Sequence, residues 1–73
     1  MTDDSKIYAE INEFRLRKQM GVSALARWIG VNHHVVRRTL AGQSEPHDYH
    51  RQAFIQFYHD NIVPLYNDNV AKH

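Results

Sequence analysis

The stretch from Met20 to Gly42 constrains this chain more than any other. Its pattern predicts two short helices meeting at a tight corner. Val22 to Ile29 forms the earlier helix, with Leu25, Ala26 and Ile29 on its inner face. Ala26 is small enough to let the following helix cross closely. Gly30 makes the corner, because glycine takes the left-handed backbone conformation without steric cost. Val31 follows as a buried plug. Asn32 is a good N-cap, its side-chain oxygen accepting an otherwise orphaned backbone N–H. The helix it opens runs to Leu40, with Val36 and Leu40 inward and Val35 or Thr39 at the edge. His33, His34, Arg37 and Arg38 are left outside. Gly42 suits the position just past the helix end.

The flanking segments read as support. With 73 residues there is room for one domain and one small core. A helix is predicted over residues 5–19, capped by Ser5 or an aspartate. Ile7, Ile11 and Phe14 form its apolar stripe, and Arg15, Arg17 and Lys18 gather at the end that the helix dipole favours for cations. Leu16 and Met20 are expected to close the core, and Gly21 to break the helix. Pro46 suits the first position of a helix over 46–60, with Tyr49 or His50, Ala53, Phe54, Phe57 and Tyr58 on its apolar face. Pro64 interrupts the apolar run Ile62 to Tyr66, which reads as a short helix or an extended arm. Residues 67–73 read as a frayed tail. The expected fold is an all-α, compact bundle of four to five helices. Its core spans about 5–60, with 61–73 as an arm or dimerisation tail.

Composition narrows the function. There are no cysteines, which excludes disulfides and Cys-based zinc sites. The acidic N-terminus has no apolar run behind it, and no stretch approaches the ~20 apolar residues of a membrane span. A cytoplasmic protein without a membrane partner is the expectation. The net charge of +1 hides an asymmetry: residues 15–51 carry seven Lys/Arg against Glu45 and Asp48. A basic stretch is usually a solvated surface, but this one coincides with the two-helix corner. Adjacent histidines on a helix diverge by about 100° and make poor ligands for one ion. His47 and His50 have zinc-compatible spacing but no evident third ligand. No nucleophile triad or carboxylate pair is present, so neither metal, cofactor nor catalysis is expected.

The residues Leu25, Ala26, Ile29, Gly30, Val31, Val36, Leu40 and Gly42, followed by Ser44 and Pro46, resemble the Cro/C1-type (lambda-repressor-like) helix-turn-helix family. The resemblance covers about residues 7–60. It implies a small DNA-binding transcriptional regulator, such as a phage or mobile-element repressor, that sets its second motif helix in the major groove of double-stranded DNA. By matching positions it implies base reading by His33, His34 and Arg38, with Asn32 and Arg37 near the backbone. Arg27, Gln43 and Ser44 flank that helix as backbone candidates. One such motif reads few bases, so a homodimer on a pseudo-palindrome is expected. The partner surface is assigned to Trp28, which reads equally as a core ring, and to Tyr58, Ile62, Val63, Leu65 and Tyr66, a cluster that is part core and whose apolar area exceeds what so small a core can use. Thr39 stands where family members often have an aromatic or aliphatic residue, and two further departures are Gly21 and Val22, where a phosphate-gripping Gln or Thr is common, and Trp28, where a polar residue is usual. They keep an alternative open, an antirepressor or modulator that binds another regulatory protein of a phage or plasmid.

Overall fold

The computed structural model describes residues 4–66, and the regular structure within them is helical throughout. Four helices follow in order: α1 (Ser5–Arg17), α2 (Val22–Ile29), α3 (His33–Leu40) and α4 (Asp48–Phe57). A π-helical turn, Tyr58–Ile62, continues α4, and helical backbone runs on through residues 63–66. The fold is all-α. The assignment of residues 67–73 to a frayed tail lies outside the described residues.

Every helix contributes to one core: Ile11 and Phe14 from α1, Leu25 and Ala26 from α2, Val36 from α3, and Phe54 and Phe57 from α4. Val31, in the corner, plugs the gap between α2 and α3 as expected. Leu16 does not close this core and is 58% exposed. It sits two residues beyond Phe14, which at about 100° per residue turns it to the far side of α1. Thr39, expected at the edge of α3, is buried, whereas Leu40 is only half-buried. The same rotation places Thr39 between Val35 and Val36, at the centre of the inner arc.

The ends of the helices show how the chain turns. Gly30 takes φ 86° after α2, and the N–H groups of Gly30 and Val31 both turn back to the Ala26 carbonyl. Gly42 takes φ 72° after α3, with Gln43 N–H bonded to the Arg38 carbonyl and Gly42 N–H to that of Thr39. That paired bonding is a Schellman motif. The same motif ends α1, but with Gln19 at φ 56° in the left-handed position. Met20 N–H reaches the Arg15 carbonyl and Gln19 N–H that of Leu16. The helix therefore stops at Arg17, before the expected break at Gly21. Arg15 reinforces the turn by donating to the Met20 carbonyl at 3.1 Å. A left-handed conformation strains any residue with a Cβ by roughly 1–2 kcal/mol. Gln19→Gly should therefore raise stability by about 1 kcal/mol, a Tm gain of about 5 °C in a thermal melt. A lower Tm would count against strain at this turn.

Asp4 occupies the N-cap of α1 but makes no cap bond with its side chain. Its carboxylate instead pairs with Arg51 and ties the start of α1 to α4. Helix α4 begins at Asp48, with extended His47 as its cap, two residues later than Pro46 had implied.

The π turn corrects the reading of the C-terminal segment. In a regular α-helix the ring of Pro64 would meet the Asp60 carbonyl and lack an N–H to donate. The wider turn just before it, closed by Val63 N–H on the Tyr58 carbonyl, absorbs the misfit. Asn61 donates its side-chain N–H to the Phe57 carbonyl at 3.1 Å, within the same turn. The extra residue also rotates the segment. Asn61 would follow Phe54 and Phe57 inward at α-helical spacing, but Ile62 takes that place and is 4% exposed. Ile62 is therefore core, not partner surface, and the core extends past residue 60. Tyr66 anchors the segment on α1 by donating its hydroxyl to Glu10 at 2.6 Å. Tyr58 faces the same carboxylate, which pushes the Tyr58 hydroxyl up to about 12.

Candidate nucleic-acid interface

Helix α3 divides cleanly. Val36 and Thr39 are buried and Val35 and Leu40 half-buried, while His33, His34, Arg37 and Arg38 are exposed. The four exposed side chains fall within an arc of about 140°, a stripe opposite the buried one. The helix starts where the sequence implied, because the Asn32 side-chain oxygen accepts from His34 N–H at 2.8 Å. That oxygen is committed to the cap, so Asn32 would approach a phosphate through its side-chain amide. In the first turn the rings of His33 and His34 stack obliquely, with centroids 4.0 Å apart and planes at 37°. His33, some loss of water contact, Arg37 and Arg38 together hold the His34 imidazole below its ordinary value.

Charge sorts with the same geometry. Asp4 pairs with Arg51 and Glu13 with Arg17, Glu10 accepts from Tyr66, and Asp60 accepts from Gln56. Glu45 and Asp48 line a hollow of about 670 Å³ at the C-terminal end of α3. Those six are the carboxylates of the described residues, and none forms an ion pair with Arg27, Arg37 or Arg38. Ser44 is exposed and lines that hollow with Asp4, Glu45, Asp48 and Arg51. Gln43 is exposed just past Gly42, at the end of α3.

Helix α2 has two exposed edges. Ser23 and Arg27 turn toward α3 and, with Ala26, Gly30, Val31, Asn32 and His33, line a cleft of about 440 Å³ at its N-terminus. The Ser23 hydroxyl lies one turn before Arg27, on the edge that faces the next helix. On the other edge Trp28 packs against Phe14 and Phe57, at centroid distances of 5.7 and 5.2 Å, and keeps 50% of its surface exposed. It is both a core-edge ring and an accessible surface. Leu65 and Tyr66 are also about half exposed, and Tyr58 and Val63 half-buried.

Comparison of the chain with protein-family models, curated proteins and solved structures finds no match. No described helix is long and apolar enough to cross a membrane.

Proposed function

We propose that this chain is a small sequence-specific DNA-binding regulator of the Cro/C1 type, acting by occupying an operator. One observation carries the reading. The outward stripe of α3 is made of two histidines and two arginines, and every carboxylate of the described residues is engaged or placed elsewhere. Such a stripe suits the major groove. An arginine can bond bidentately to guanine O6 and N7, and an imidazole can meet one base-edge donor or acceptor. His33, His34 and Arg38 are the base-reading side chains. Arg37, Arg27, Ser23, Asn32, Gln43 and Ser44 hold the sugar–phosphate backbone at its flanks. One stripe spans too few bases for a unique site, so the functional unit is a two-fold dimer with half-sites one helical turn apart. Leu16, Trp28, Tyr49, Leu65 and Tyr66 are the exposed large apolar side chains of the described residues, and Trp28, Leu65 and Tyr66 among them are the ones we assign to a partner.

The test is selection of bound sites from random duplex DNA at about 50 and 200 mM salt. The expected result is a palindromic consensus, with affinity falling by about a hundredfold or more between the two salts if several phosphates are contacted. No enrichment at either salt would sink this reading. It would favour the second one, a modulator that holds another regulator through the half-exposed Trp28 edge.

A further inference from the structure

We infer that the stacked His33–His34 pair makes duplex binding proton-linked: the His34 ring takes up a proton when a phosphate backbone closes over α3. This rests on the DNA reading above and adds a control that the reading alone does not contain.

The geometry supplies the reason. The two rings lie 4.0 Å apart on the exposed face, so a proton on one repels a proton on the other. Arg37 and Arg38 stand one turn further along α3, and both act on His34 in the same direction. From α2, Arg27 shares with His33 the cleft at the start of α3. Helix α1 meets the buried side of α3, and its carboxylates are engaged away from the pair, Glu10 with Tyr66 and Glu13 with Arg17. At the other end of α3, Glu45 and Asp48 line the hollow beside Arg51. The groups that act on His34 are thus His33, Arg37 and Arg38, each cationic or able to become so.

Duplex DNA reverses that field. It brings one negative charge per ~1.7 Å of helix axis. The imidazolium is then favoured, and it can donate from both ring nitrogens to phosphate or guanine oxygens. Arginine remains charged throughout and cannot provide such a switch. Each proton taken up on binding tightens affinity by up to about tenfold per pH unit, between the free and bound titration midpoints.

The experiment measures binding of a labelled duplex carrying the selected site, by fluorescence anisotropy from pH 5.5 to 8 at fixed salt. Proton resonances of the His34 ring are followed in parallel, with and without duplex. The expected Kd falls about tenfold from pH 7.5 to 5.5, and His34→Gln flattens the profile to less than about threefold. In the free protein His34 titrates below an ordinary histidine, and His33→Gln moves it up. Duplex moves it up further. Binding that is equally tight across the range, or a His34 midpoint unmoved by duplex, overturns the inference while leaving the DNA reading intact. Failure to bind any duplex at any pH overturns both.

Discussion

Phe54→Ala should leave this domain close to unfolded at room temperature. Phe54 is fully buried, and its ring meets that of Tyr8 edge-on at 5.5 Å. Removing a buried phenylalanine side chain loses its transfer free energy and leaves a cavity, together about 4 kcal/mol. A chain of this length holds a total stability on the order of 4–10 kcal/mol. The expected shift is therefore a fall in Tm of roughly 15–30 °C, read by circular dichroism at the helix band. Tyr49→Ala is the matched control on the same helix. Tyr49 is 80% exposed, so its loss should move Tm by no more than about 3 °C. Similar shifts for the two variants would mean that Phe54 is not the centre of the core.

The contrast between those two aromatic positions shows what could be read from the sequence. Periodicity placed Ile11, Phe14, Leu25, Val36 and Phe54 correctly because burial follows a fixed angular step, and those residues repeat at that step. The corner was legible for a similar reason: Gly30 and Gly42 both stand in left-handed backbone. Where the step itself changed, the reading failed. The π turn adds a residue to one helical turn, so positions beyond Tyr58 no longer follow the α-helical count, and Ile62 moved from surface to core. Pro64 was visible as a misfit, but not the way the backbone would absorb it. Gln19 was missed because left-handed geometry is carried there by a residue that does not advertise it. The outward stripe of α3 was legible because its complement, the inner stripe, was. Ser23 required the facing helix to be in place before its edge acquired a meaning.

Replacing Arg37 and Arg38 together by alanine should abolish operator binding while leaving the fold in place. Both side chains are exposed, and neither forms an ion pair with a described carboxylate. They lie in the last turn of α3, where a cation gains about 0.3–1 kcal/mol from the helix dipole, so Tm should fall by only a few degrees. On DNA the loss is much larger. A bidentate arginine–guanine contact is worth about 1–3 kcal/mol, and in a two-fold complex each contact is lost twice. Binding should weaken by roughly a thousandfold or more, beyond the reach of an anisotropy titration at physiological salt. The single variants separate the two roles. Arg38→Ala should relax the consensus at one base position in each half-site. Arg37→Ala should weaken all sequences alike and lower the salt slope by about 1 per protomer. The division of labour is wrong if Arg37→Ala alters the consensus and Arg38→Ala does not. If the double variant binds its site as tightly as the parent chain and melts at a similar temperature, α3 is not the surface that meets DNA.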